Sequence, residues 1–209
     1  MDLSFPISSV IPTVDGPVLA VLAGTTAPLS GRQVARLAVG RASQRGVADA
    51  LARLTAAGIV LRENRPPSAL YRLNREHLAV PAIVELANLR RTMIDRLSQM
   101  AASWRKRATS VVLFGSAARG DATTSSDLDV LVVRPARVAA DDEAWREQLA
   151  DFAAQTEAMT GNATNIVEYG AEELRKIPRR REPVLLDAER DGIVLAGRDV
   201  AALRRSPKE

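Results

Sequence analysis

VVLFGSAARGDATTSSDLDVLVV, residues 111 to 133, decides how the chain is read. Val111-Val112-Leu113-Phe114 has the unbroken apolar character of a buried strand and runs straight into Gly115-Ser116-Ala117-Ala118-Arg119-Gly120-Asp121. A strand feeding a Gly-Ser turn and a helix start is a phosphate-binding geometry. Glycine lets the backbone approach an anion, the first N–H groups of the helix are unpaired, and the serine hydroxyl adds a donor. Asp127-Leu128-Asp129 then opens a second apolar run, Val130 to Val133, and strand alternation puts Asp127 and Asp129 on one side with Leu128 and Val130 on the other.

Two carboxylates side by side at the start of an apolar strand repel each other unless something cationic sits between them. Hard oxygen ligands suit Mg²⁺, with Mn²⁺ as an alternative ion; Mg²⁺ keeps several waters and is usually held by one or two carboxylates plus substrate phosphates. With two ions, one activates an attacking oxygen and the other stabilises a leaving pyrophosphate. Asp127 and Asp129 are therefore candidate metal ligands.

Gly-Ser, a gap of ten residues, then Asp-x-Asp is similar to the signature of the nucleotidyltransferase superfamily with the DNA polymerase β type of catalytic domain. FGSAARGDATTSSDLDVLVV, residues 114 to 133, resembles its minimal nucleotidyltransferase branch. The resemblance implies a nucleotidyltransferase-fold domain over residues 108–209, a mixed β-sheet flanked by helices. It implies that Gly115 and Ser116 hold the phosphates of a nucleoside triphosphate substrate, that Asp127 and Asp129 bind Mg²⁺ at the catalytic centre, and that Arg119 lies near the phosphates. Arg119 has a second reading, pairing with Asp121 or Asp127 to hold the turn. Such enzymes commonly use a third carboxylate from a neighbouring strand, often as the base that takes the acceptor proton. The strand here is Ala163 to Tyr169, after a helix over Asp141 to Met159 and a stop at Gly161-Asn162. Where many relatives carry an acid early in this strand, the chain has Asn165, and the strand's carboxylate is Glu168, on the face opposite Asn165. Glu168 is either the third catalytic acid or a strand-end surface residue.

Farther along, Glu182 to Gly197 reads as a short helix and a closing strand at Ile193-Val194-Leu195, an ending familiar in the minimal branch. Arg179-Arg180-Arg181 could contact an RNA acceptor, a triphosphate or only solvent, and Ser206 to Glu209 reads as a frayed end.

Toward the N-terminus the pattern changes to three helices and a hairpin. Pro17 to Ala23 is a short apolar run, Ser30 caps Gly31 to Val39, and Ser43 caps Gln44 to Ala57, where Val47, Leu51 and Leu54 recur at helical spacing before the stop at Gly58. Ile59-Val60-Leu61 and Leu70-Tyr71-Arg72-Leu73 flank a polar turn with Pro66-Pro67, a hairpin signal. This order resembles the winged helix-turn-helix family of DNA-binding modules, assigned to residues 1–78. If so, Gln44 and Arg45 reach base edges from a recognition helix, and Arg62, Arg65 and Arg41 touch phosphates. The alternative is a winged-helix module that docks protein. Ile83, Leu86, Met93, Leu97, Met100 and Trp104 recur every three or four residues or at a multiple of that spacing, which predicts one connecting helix over Pro81 to Trp104 within a linking segment 79–107. It would pack the halves together or form a dimer seam. The fold class expected for the whole is α+β.

Composition sets the outer bounds. The 209 residues are 46 % hydrophobic and 26 % charged, which is the composition of a globular chain with room for two modest cores. Without cysteine, disulfides, zinc-thiolate sites and thiol nucleophiles are excluded, and with His77 as the sole imidazole in a polar stretch, a Ser-His-Asp triad or a His-rich metal site has no support. No apolar run approaches the roughly 18 residues of a membrane span and the start lacks signal-peptide character, so a cytoplasmic location is expected. Net charge is +4, but residues 1–108 carry 15 Lys and Arg against 7 Asp and Glu, whereas residues 109–209 carry 14 against 18. A basic half fits a partner rich in phosphate.

Three functions follow. The first is Mg²⁺-dependent transfer of a nucleoside monophosphate to an acceptor hydroxyl on RNA, protein or a small molecule, in a chain that also binds DNA and belongs to a toxin–antitoxin-type pair. The second is a transcriptional regulator whose nucleotidyltransferase-like domain binds nucleotide or partner without turnover. The third is an antitoxin-like binding protein with a cognate toxin.

Overall fold

The computed structural model describes residues 1–38, 42–178 and 182–205, so the expectations for Arg41, Arg179-Arg180-Arg181 and Ser206 to Glu209 lie outside the described residues. The chain divides into two compact units: Phe5–Arg90, and Arg91–Glu209 together with Met1–Ser4.

The Phe5–Arg90 unit begins with α1 (Ile7–Val10) and α2 (Asp15–Ala23). β1 (Leu29–Ser30) ends in a capping box: the Ser30 hydroxyl accepts from the Gln33 amide, and the Gln33 side chain accepts from the Ser30 amide at 2.8 Å, which starts α3 (Gly31–Leu37). Ser43 starts α4 (Gln44–Ala56) in a similar way, its hydroxyl accepting from the Gly46 amide at 3.1 Å. Gly58, at φ +74°, supplies the left-handed turn out of α4. β2 (Val60–Arg65) and β3 (Ser68–Leu73) then pair antiparallel from Val60 with Leu73 to Arg65 with Ser68, and β1 lies on the other edge of β3. The helices and hairpin read from the caps and turn residues are thus present, with α1 and β1 in addition. α5 (Val80–Ala87) contributes Val80 and Ile83 to a core with Val18, Leu22, Val34, Leu51 and Leu73.

The one helix expected over Pro81 to Trp104 is two. α5 stops at Ala87, Asn88 turns with ψ near zero, and α6 (Leu89–Ala102) follows. The apolar stripe is shared between two cores: Ile83 and Leu86 pack in the first, whereas Met93, Leu97 and Ala101 pack in the second. A seven-residue step from Leu86 to Met93 keeps helical phase across the break, which hides it from periodicity.

The second unit continues through β4 (Ser110–Phe114), α7 (Gly115–Arg119), β5 (Leu128–Arg134), α8 (Glu143–Thr160), β6 (Thr164–Gly170), α9 (Ala171–Lys176), α10 (Pro183–Asp191), β7 (Ile193–Gly197) and α11 (Val200–Arg205). Its sheet has the order β6-β5-β4-β7, with β5 and β6 parallel and the other pairs antiparallel. The parallel pair needs a crossover, which α8 supplies. Val111, Leu113, Leu128, Val130 and Val132 face one core with α6 and α8, where Trp104 stands edge-on to Trp145 at 6.0 Å and to Phe152 at 5.4 Å. Val112, Phe114, Leu131 and Val133 face another with Leu174, Leu185, Val200 and Leu203. β4 and β5 are covered on both faces, which is why their sequences are continuous apolar runs. This mixed sheet flanked by helices agrees with the α+β architecture expected for the C-terminal half. No helix among the described residues is long and apolar enough to cross a membrane.

Asp142 caps α8, accepting from the Trp145 amide at 2.9 Å and pairing with Lys106. The Lys106 hydrogen bond, with the Trp145 amide second, holds the Asp142 carboxyl below its ordinary 3.8. A lowered folded pKa stabilises above the unfolded value and is lost as pH falls through the folded one. Asp142→Asn therefore lowers the melting temperature at pH 7, and its difference from wild type shrinks as pH falls from about 5 toward 2, read from thermal melts across that range.

Candidate active site

The register of β4 against β5 sets the site. Phe114 pairs with Asp129, so the exit of β4 and the entrance of β5 lie at the same end of the sheet, and Gly115 falls against the Asp129 carboxylate. Gly115 has φ +70°, and a Cβ there would stand 2.6 Å from Asp129 Oδ2. Only glycine accepts that backbone and leaves the carboxylate its space. The loop ahead of Asp127 is held from below by buried Asn162, whose Nδ2 donates to the carbonyls of Ser126 at 2.9 Å and Thr124 at 3.3 Å. The Thr123 amide donates to Ser126 Oγ at 2.9 Å, tightening the same turn.

β6 completes the site. Its parallel register sets Asn165 beside Asp129, and Asn165 Nδ2 donates to Asp127 Oδ2 at 3.1 Å and to Asp129 Oδ1 at 3.4 Å. Asp127, Asp129 and Asn165 thus converge from one face of the sheet, next to Gly115. Burial pushes the Asp129 carboxyl above its ordinary value; the Asn165 hydrogen bond opposes this, the neighbouring Asp127 charge adds to it, and Arg119 opposes it. In α7, the Ser116 carbonyl accepts from the amides of Gly120 and Asp121, and Arg119 Nε donates to Asp121 Oδ2 at 3.2 Å. The turn-holding pairing of Arg119 is therefore made with Asp121.

The donor set suits a small hard divalent cation: two carboxylates and an amide that can present its oxygen, with the space beside Asp129 kept open by Gly115. Among the described residues no group of three or more His, Asp or Glu side chains is placed to share an ion.

Glu168 is not brought to this pair. It is aligned with Val132, three residues beyond Asp129, and so lies on the opposite face of the sheet. Glu168 Oε1 accepts from Arg134 Nε at 2.6 Å and from Trp145 Nε1 at 3.1 Å, and Arg134 also donates to the Val138 carbonyl. As a third acid beside Asp127 and Asp129 it is misplaced; its carboxylate ties β5, β6 and α8 together. Arg134 and Trp145, which fix it there, carry no motif and went unread in the sequence.

In the other unit, Gln44 and Arg45 are exposed on the first turn of α4 and line a groove of about 330 Å³ with Arg32 and Tyr71. Arg62 is exposed on β2 in register with Tyr71, and Arg65 Nε donates to Glu63 Oε1 at 2.7 Å. Arg32 was missed by the sequence reading; its position two residues after the Ser30 cap was the available signal.

Residues 92–185 match the family model of the nucleotidyltransferase domain. No curated protein matches the chain. A solved structure described as "Crystal structure of the toxin-antitoxin with AMP-PNP" is 18 % identical, covers 53 % of this chain and 80 % of its own, and has a TM-score of 0.38.

Glu168→Ala leaves the Arg134 guanidinium, whose side chain is 16 % exposed, without its carboxylate. A loss of about 2 kcal/mol follows, measured by urea unfolding. Any Mg²⁺-dependent binding of triphosphate at Asp127 and Asp129 should persist in the same variant; loss of such binding at unchanged stability would return Glu168 to the site.

Proposed function

We propose that the unit containing residues 91–209 is a Mg²⁺-dependent nucleotidyltransferase that moves a nucleoside monophosphate from a nucleoside triphosphate to an acceptor hydroxyl. The observation that supports this best is the convergence of Asp127, Asp129 and Asn165 beside Gly115, inside a segment that matches a nucleotidyltransferase domain. Asp127 and Asp129 hold the cation, Mg²⁺ or Mn²⁺. When bound, it screens the triphosphate charge and stabilises the departing pyrophosphate. The Gly115 backbone and the Ser116 hydroxyl take phosphate oxygens, and Arg119, anchored by Asp121, adds positive charge at the edge. The acceptor oxygen attacks the α-phosphorus as the bond to pyrophosphate breaks. The acceptor belongs to one of three classes, RNA, protein or small molecule.

Label transfer tests this: the protein, Mg²⁺ and each α-³²P triphosphate in turn are added to a cell extract, beside an Asp127→Ala/Asp129→Ala variant. Labelled product is expected with wild type only, and its chemistry names the acceptor. No transfer by a folded wild type with any triphosphate would remove the enzyme.

Asn165 favours a second reading. An amide at this position cannot take a proton from an acceptor, which suits a regulator or antitoxin-like protein that binds nucleotide or a cognate toxin without turnover. Under either reading the Phe5–Arg90 unit is a winged helix-turn-helix that binds DNA. Its helix, short strand, helix, helix and hairpin support this, as do the 9 Arg against 2 acids between Pro17 and Arg75. Gln44 and Arg45 would meet base edges and Arg62 and Arg65 phosphates. Arg45→Ala should weaken a promoter-DNA mobility shift and relax its sequence preference. Arg62→Ala should weaken the shift uniformly and reduce its salt dependence, and unchanged shifts in both variants would remove this interface.

A further inference from the structure

We infer that the site formed by Asp127, Asp129 and Asn165 takes one divalent cation with its triphosphate, not two, and that Asn165 sets this number. The inference rests on the nucleotidyltransferase reading above.

Charge comes first. One dication is held by the two carboxylates and the triphosphate oxygens, whereas a second, about 4 Å away on the acceptor side of the α-phosphorus, has to be held against strong mutual repulsion by a further anionic ligand from the protein. None is supplied among the described residues. On the β4 side the neighbour of Asp129 Oδ2 is Gly115, which has no side chain to offer as a ligand and where even a Cβ would stand 2.6 Å from that oxygen. On the β6 side the residue in register with Asp129 is Asn165, a neutral side chain already joined to both carboxylates. The next carboxylate on β6, Glu168, is bound on the opposite face to Arg134 and Trp145. No third His, Asp or Glu among the described residues joins the pair, and the charge of Arg119 already acts on Asp129.

Asn165 therefore has two states to serve. Without a cation its Nδ2 donates to both carboxylates and holds them in place. With one, a turn of the amide presents Oδ1 as a neutral ligand, while phosphate oxygens and water complete the shell. The acceptor oxygen then meets no second ion, and its proton passes to solvent or to a base on the acceptor.

The test counts ions on the full-length protein. Mn²⁺ is the probe, with α,β-methylene analogues of the four nucleoside triphosphates. Binding is followed by calorimetry and by electron paramagnetic resonance, where a pair of ions a few ångströms apart gives an exchange-coupled spectrum. Wild type is expected to bind one Mn²⁺ per chain with an uncoupled spectrum, Asn165→Ala also one, and Asn165→Asp two with the coupled spectrum. Two coupled ions on wild type would overturn the inference and leave the nucleotidyltransferase reading intact. No Mn²⁺ on wild type with any analogue would overturn that reading itself. One ion on a folded Asn165→Asp would remove Asn165 as the determinant.

Discussion

Asp127 and Asp129 are like charges held in neighbouring same-face positions at the mouth of β5, and the structure around them is arranged to keep them there. Burial, and after it the neighbouring Asp127 charge, oppose ionisation of Asp129 and push its carboxyl above the ordinary value, with the Asn165 hydrogen bond acting the other way. Four features hold the arrangement, with no salt bridge to either acid among the described residues. The β4–β5 register aligns Phe114 with Asp129, Gly115 leaves room for the carboxylate, Asn162 grips the loop ahead of Asp127, and Asn165 donates to both acids. Each lies on a different segment, so the acid pair depends on the whole sheet end rather than on one motif. A site that is electrostatically unfavourable when empty gains most from a cation, which links its local strain to its proposed use.

Strand alternation then divides the work of the sheet. The face bearing Asp127, Asp129 and Asn165 also carries Leu131 and Val133, packed under α9, α10 and α11. The opposite face carries Leu128, Val130 and Val132 against α6 and α8, and there Glu168 meets Arg134 and Trp145. An odd offset, three positions along β6, separates a side chain that touches both acids from one that fastens a helix to the sheet. Asn165 and Glu168, three residues apart on one strand, cannot share a site for that reason.

Much of this was legible from local chemistry. The caps at Ser30 and Ser43, the stop at Gly58 and the hairpin around Pro66-Pro67 are short-range signals, and the structure places elements where they fall. The shared face of Asp127 and Asp129 follows from period two alone. What was illegible depends on partners distant in sequence. The break at Asn88 is hidden because one apolar stripe feeds two cores without losing helical phase. The commitment of Glu168 needs Arg134, 34 residues away, and Trp145, 23 away, neither of which a motif would select. The anchoring of Asp127 by Asn162 likewise passes through two carbonyls, which no side-chain pattern reports.

Asn165 shows how a single neutral residue links stability to capacity at such a site. A carboxylate in its place would add a third like charge within reach of two others and raise the free energy of the cation-free fold. The amide instead contributes two hydrogen bonds to charged acceptors, a class of bond worth about 1.5–3 kcal/mol each at good geometry and less at the 3.1 and 3.4 Å seen here. The same choice removes the negative charge that a second dication would require. Under the one-ion inference, a fold that holds the acid pair without metal is one with less capacity for metal, and both properties follow from the register that sets Asn165 beside Asp129.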